Sequence, residues 1–231
     1  MPRPNSPAEP LPGDGRRENE LRIIGGTFRG RILAYHGDPV TRPMKHRVRE
    51  AIFNLISTEP PGRRVLDLFA GTGALGLEAL SRGAAEATFI ERHVPTGRVV
   101  RQNIESLEVE SKTTLAVASA FVWAKRDLPR FAESSAGQAA APWLIFVSPP
   151  YAFFVERQEE LLELISTVAR YAPVGSTMVV ESDARFDVSL LPQATPAHPT
   201  AAWNWDLRSY PPAVVGVGRL RPTEEVSSTG S

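Results

Sequence analysis

Val65-Leu66-Asp67-Leu68-Phe69-Ala70-Gly71-Thr72-Gly73-Ala74-Leu75-Gly76 begins as a near-continuous apolar run and ends in spaced glycines. Such a run is what a parallel strand covered on both faces carries. The glycines predict a tight turn at the strand's carboxyl end, then a helix, because glycine takes positive φ and lets the backbone pass close to a ligand. A second apolar run, Trp143 to Val147, ends in Ser148-Pro149-Pro150-Tyr151. Between and beyond the two, strand and helix patterns alternate.

The expected elements are strands at 65–70, 87–91, 113–118, 143–148 and 176–181. Helices are expected at 74–82, 95–107, 120–131 and 155–171. This alternation implies right-handed crossovers and a doubly wound, Rossmann-like α/β sheet. Residues 201–208 and 213–220 suit an antiparallel pair that brings the sheet to seven strands, and Glu133 to Ala141 reads as a surface loop. Upstream, Leu21 to Ile24 and Thr27 to Leu33 predict a hairpin about Gly25-Gly26. A helix is expected from Lys45 to Ser57, with Val48, Ile52, Leu55 and Ile56 on one stripe. Residues 1–20 and 222–231 read as disordered tails, 21–60 as a basic hairpin and helix, and 61–221 as the sheet domain.

The 231 residues, 42% hydrophobic and 23% charged, fit a globular protein with a substantial core. Cysteine is absent, which excludes disulfides and thiolate metal sites, and no metal is expected. No apolar run approaches a membrane span, and the first residues lack the apolar core of a secretory signal. A cytoplasmic, monomeric protein is the expectation. The formal net charge of zero hides an asymmetry. From Arg16 to Arg49 nine Lys or Arg face three acids, so that segment carries +6 and the remainder −6. The basic segment is either a solvated face or the footprint of a polyanion. Period two places Arg29 and Arg31 on one strand face, and Arg42, Lys45 and Arg47 follow, with Arg49 on the helix.

The chemistry rests on three places. The turn, with Asp67, Phe69, Ala70, Gly71, Thr72 and Gly73, has the shape of a nucleotide-cofactor loop. Glu91, followed by Arg92, ends the second strand about twenty residues on, where a carboxylate can accept both ribose hydroxyls. Dinucleotide enzymes share these two features. The diproline discriminates. An exocyclic amine on a base is a weak nucleophile, because its lone pair is delocalised into the ring. Fixed oxygens that accept both N–H groups orient it and stabilise the developing charge. Ser148 and the Pro149 carbonyl are the two acceptors, Pro150 holds the turn rigid, and Tyr151 offers a face for base stacking. Together these features point to methyl transfer from S-adenosylmethionine to a nucleobase amine.

On these motifs the chain resembles the bacterial RsmD-type methyltransferases, which act on the N2 amine of a guanine in small-subunit ribosomal RNA. The resemblance lies in Arg22 to Arg31, Thr41-Arg42-Pro43 with Arg47 to Asn54, Asp67 to Ala84, Phe146 to Tyr151 and the strand ending Glu181-Ser182. It implies S-adenosylmethionine as cofactor and ribosomal RNA, free or in an assembling small subunit, as partner. It also implies that Ser119 and Ala120 lie near the adenine. Two departures stand out. The family usually has Asp where this chain has Ser148, and Asp or Asn where it has Ser119. Serine at the first place occurs in relatives that act on the cytosine amine. An amino-methyltransferase on another base, and a weakened RNA-binding relative, are therefore the alternatives.

Overall fold

The computed structural model describes residues 20–35, 46–134, 141–194 and 197–223. Its elements are α1 (His46–Leu55), β1 (Arg64–Asp67), α2 (Ala74–Ser81), β2 (Glu86–Ile90), α3 (Val94–Leu107), β3 (Thr113–Ala116), α4 (Ala120–Arg126) and α5 (Leu128–Glu133). They continue with β4 (Trp143–Val147), α6 (Phe153–Glu156), α7 (Gln158–Tyr171), β5 (Thr177–Asp183), β6 (Ala201–Tyr210) and β7 (Ala213–Pro222). The strands form one sheet in the order β3-β2-β1-β4-β5-β7-β6. The first five are parallel, and β7 and β6 close the sheet antiparallel, as the sequence predicts.

Alternation along β4 shows how the two cores arise. Leu144 and Phe146 face the layer of Ile52, Phe53, Leu77 and Val100. Trp143, Ile145 and Val147 face the opposite layer, with Trp123, Leu128, Leu161 and Ile165. All five residues are fully buried, which is why the strand reads as an unbroken apolar run. Among the described residues no helix is long and apolar enough to cross a membrane.

Three expected elements differ. The N-terminal hairpin is reduced to one bridge, Arg22 to Ile32, and residues Thr27 to Gly30 form a turn rather than a strand. The backbone there pairs with the end of α2 instead. The Thr27 and Phe28 N–H groups donate to the Ser81 carbonyl (2.8 Å) and hydroxyl (2.9 Å), and Ser81 donates in turn to the Gly25 carbonyl. A Cβ on Gly26, at φ 76°, would lie 1.9 Å from the Ser81 carbonyl oxygen, so only glycine permits the approach. The helix expected at 120–131 is two helices that meet at Asp127, with Pro129 in the first turn of α5. The helix expected at 155–171 breaks at Arg157, whose φ of −136° is not helical. Its guanidinium lies 4.2 Å from the Phe121 ring centre and forks onto Glu160 at 2.9 and 2.7 Å. Of the expected loop, residues 135–140 lie outside the described residues, as do nearly all of both expected tails.

Two buried carboxylates position the site. Glu78 of α2 is fully buried. It accepts from the Ile24 N–H (2.7 Å), the Gly25 N–H (2.8 Å) and Arg82 Nε (2.8 Å), so it ties the N-terminal segment to the sheet domain. Arg49 of α1, also fully buried, donates to the Arg22 carbonyl. Burial holds its guanidinium below the usual value, and the nearby Glu78 charge opposes that. Asp67 ends β1 under the glycine turn, where its Oδ2 accepts the Gly76 N–H at 3.3 Å. Burial pushes its carboxyl up to about 7, opposed by the Gly76 amide, reinforced by the Glu91 charge and opposed again by the Phe69 amide.

Removing Glu78 leaves Arg82 and two amides without their acceptor. Glu78→Ala should cost about 3–5 kcal/mol, the scale of breaking a buried ion pair, read by denaturant unfolding. Trypsin should also cut the Arg22–Arg31 region faster in that variant. Asp67 binds its proton more tightly folded than unfolded, where an Asp titrates near 3.9. Its contribution is therefore full below about pH 4 and declines as pH rises to about 7. Asp67→Asn should lack this slope and gain stability relative to the parent between pH 5 and pH 8. Equal pH dependence in the two proteins would refute the assignment.

Candidate active site

The chain leaves β1 for β2 and β3 on one side, then returns to place β4 on the other. At such a reversal the loops after the two central strands splay apart and open a crevice. A cavity of about 570 Å³ lies there, walled by the loops after β1, β2, β3 and β4, by the end of β5 and by Val48 and Arg49 of α1. Pro212 and Ala213, at the β6–β7 turn, complete it.

The glycine turn takes the form the sequence predicts. Gly71 and Gly73 have φ of 55° and 80°. Glu91 is half-buried beside them, its Oε2 accepting the Gly71 N–H at 2.9 Å and its Oε1 the His93 N–H at 2.8 Å. A carboxylate has about four lone-pair positions, so the two amides fix it and leave two for a ligand. Phe69, Ala70, Gly71, Thr72, Glu91, Arg92, Ser119 and Ala120 all line the cavity. Ser119 stands at the start of α4, and its hydroxyl makes no capping bond. Two of the expected cofactor residues are not on the wall. Asp67 lies beneath the turn as its brace, and Gly73 faces Val100, Leu77 and Phe89 in the core.

The aromatic wall is not visible in any motif. Phe69, Phe121 and Phe153 come from three separate segments and meet with ring centres 6.1–6.3 Å apart. Arg92 lies 5.8 Å from the Phe153 ring centre.

Opposite the turn, Ser148, Pro149, Pro150 and Tyr151 face the same cavity. The Pro150 carbonyl accepts the Phe153 N–H at 2.9 Å, which starts α6. The Pro149 carbonyl takes no such bond among the described residues, so it remains an acceptor. Parallel pairing of Val147 with Val180 sets Ser148 beside Glu181 on β5. Glu181, 6% exposed, accepts the Ser148 hydroxyl on Oε2 and the Tyr151 hydroxyl on Oε1, the latter at 2.7 Å. Burial pushes the Tyr151 phenol well above its usual range. The hydrogen bond to Glu181 and the negative charges of Glu181 and Asp183 add to this. The sequence reading assigns Glu181 no role. Its signals are an acid directly after the apolar Met178-Val179-Val180 and its place in the strand end that the resemblance covers.

The basic residues divide. Arg29 is exposed, and so is Arg31, which donates to the Ser106 carbonyl. Arg47 is exposed and donates to the Pro211 carbonyl at 3.2 Å, beside Pro212 on the cavity rim. Arg49 is buried, so it belongs to neither a solvated face nor a polyanion footprint. Arg42 and Lys45 lie outside the described residues.

Comparison with known proteins places the family and the fold. The Escherichia coli protein "Ribosomal RNA small subunit methyltransferase D" is 41% identical over 133 residues, 57% of this chain and 61% of that one. The Bacillus subtilis protein YlbH is 32% identical over 151 residues, 65% of this chain and 75% of that one. The solved structure of the Escherichia coli protein yhhF superposes with a TM-score of 0.66 at 26% identity, over 89% of this chain and 99% of that one. The fold is that of the S-adenosylmethionine-dependent α/β methyltransferases. A family model described as "Conserved hypothetical protein 95" matches residues 21–197, and the chain belongs to that family, the RsmD type its motifs resemble.

Proposed function

We propose that this protein transfers a methyl group from S-adenosylmethionine to the exocyclic N2 amine of a guanine in small-subunit ribosomal RNA. One observation carries the reading. The carboxylate suited to a ribose and the Ser148–Tyr151 acceptors suited to a base amine face each other across one cavity. The name of the Escherichia coli relative supports small-subunit ribosomal RNA as the substrate.

The residues present fit the cofactor. Glu91 keeps two lone-pair positions for a vicinal diol, Ser119 and Ala120 line the same cavity and would meet the adenine, and Gly71 presents bare backbone. When bound, S-adenosylmethionine supplies an activated methyl group on a sulfonium. The chain's residues do the rest. Ser148 and the Pro149 carbonyl accept the two amine hydrogens and aim the nitrogen, and Tyr151 stacks on the extruded base. No base needs to deprotonate the amine before attack. Arg29, Arg31, Arg42, Lys45 and Arg47 hold RNA phosphates.

The deciding experiment offers methyl-labelled S-adenosylmethionine with small ribosomal subunits, naked small-subunit RNA and DNA. Label should appear in RNA as N2-methylguanosine on digestion and mass spectrometry; label in DNA, or on cytosine or adenine, would replace this reading. Glu91→Ala should weaken cofactor binding by about 1.5–3 kcal/mol in calorimetry, the range of a charge-assisted hydrogen bond. Arg29→Ala should flatten the slope of log affinity against log salt by about 0.7–0.9, one phosphate contact. An unchanged slope would make Arg29 a solvated residue only.

A further inference from the structure

Ser148 stands where the resembled family usually carries Asp, and the exchange changes what the position can do. A carboxylate only accepts hydrogen bonds, whereas a hydroxyl also donates. An amine N–H meets a serine lone pair only if the hydroxyl hydrogen is directed elsewhere. In this protein it is, since Ser148 donates to Glu181 Oε2. The second oxygen of Glu181 is held by Tyr151 at 2.7 Å, so the carboxylate has little freedom to turn away.

Two hydroxyls are the hydrogen-bond partners of Glu181. Tyr151 faces it from the loop after β4, and β7 sets Val215 opposite it. Asp183, two residues on, is exposed enough to pair with Arg185 at 2.7 Å. Arg49 and Glu91 line the same cavity. Among the described residues no Lys or Arg forms an ion pair with Glu181.

We propose that Glu181 is the positioning residue that turns Ser148 into the amine's acceptor, and that it takes up the proton the amine sheds after methylation. This rests on the methyltransferase reading above. As the N–CH₃ bond forms and the CH₃–S bond breaks, positive charge passes from sulfur to the amine nitrogen. An N–H bond then breaks. Its proton moves to Ser148 Oγ while the Ser148 hydrogen moves to Glu181 Oε2. The balance is a neutral methylated amine, an unchanged Ser148 and a protonated Glu181, which loses its proton to solvent once the product leaves. The carboxylate that the family's Asp would place on the amine thus acts here from the neighbouring strand, one hydroxyl away.

Glu181→Gln keeps the shape and removes the charge. On the RNA substrate its kcat should fall about a hundredfold, the lower end of acid–base contributions, with KM for RNA and cofactor within about twofold of the parent. The acid limb of the parent's kcat–pH profile should vanish. Combining it with Ser148→Ala should cost no more than the worse single variant, because the two act as one unit. Adding Ser148→Asp to Glu181→Gln should restore turnover, which a merely structural glutamate would not allow. A readout independent of activity is the ultraviolet titration of the four tyrosines. The transition absent in Tyr151→Phe should move to lower pH in Glu181→Gln. Should Glu181→Gln lose its thermal transition, Ser148→Ala carries the test and must erase the same acid limb. An active parent with an equally active Glu181→Gln, fully additive losses, or an unmoved Tyr151 transition would overturn the inference. A parent that labels no RNA would instead overturn the proposed function, and the tyrosine titration would still read the Glu181 contact.

Discussion

The position of Glu78 governs the rest. A carboxylate taken out of water costs several kcal/mol unless it is hydrogen-bonded and paired, and α2 buries this one completely. The cost is offset only when the chain from Ile24 to Gly25 brings two amides to it and Arg82 turns back from the end of the same helix. That requirement docks the N-terminal segment on the sheet domain. Docking seats α1 above the crevice, where Val48 and Arg49 become part of the cavity wall. Of the basic segment, the described turn about Gly25-Gly26 and α1 are thus joined to the sheet domain that carries the cavity.

Four carboxylates near the crevice share the problem of burial and solve it differently. Glu78 is paired with a cation. Glu91 is held by two amides and stays half-exposed, which keeps it available to a ligand. Asp67, with backbone amides beside it but no cation, relieves its burial by holding a proton up to about pH 7. Glu181 is held by two hydroxyls, Ser148 and Tyr151. Only the last arrangement joins a carboxylate through a single hydrogen bond to the Ser148 hydroxyl, where the proposed reaction would set the amine. The chemistry of the Ser148 position is accordingly a property of two adjacent strands.

The even balance of charge over the whole chain conceals a division of labour. Arg29, Arg31 and Arg47 are exposed. Arg49 turns inward and bonds the Arg22 carbonyl, while the partly exposed Arg157 lies across Phe121 and Phe153. A count of Lys and Arg along the chain cannot separate these fates, because burial depends on which helix face packs.

The sequence by itself determined the sheet, its glycine turn and the two loops that face each other. Trp143 to Val147 is apolar throughout and Val65 to Ala70 nearly so, and the Gly71 and Gly73 positions and the diproline admit few other conformations. Local rules of this kind need no knowledge of distant contacts. Tertiary structure alone decided the hairpin that became a docked turn, the break at Arg157, the inward placement of Arg49 and Asp67, the aromatic wall and the role of Glu181. Each depends on residues far apart in the chain, such as Gly26 against Ser81 or Glu181 beside Ser148 and Tyr151. Periodicity along one segment carries no record of which neighbour the sheet order will supply. For Glu181 that neighbour came from β4, thirty-three residues earlier, through the register of two parallel strands.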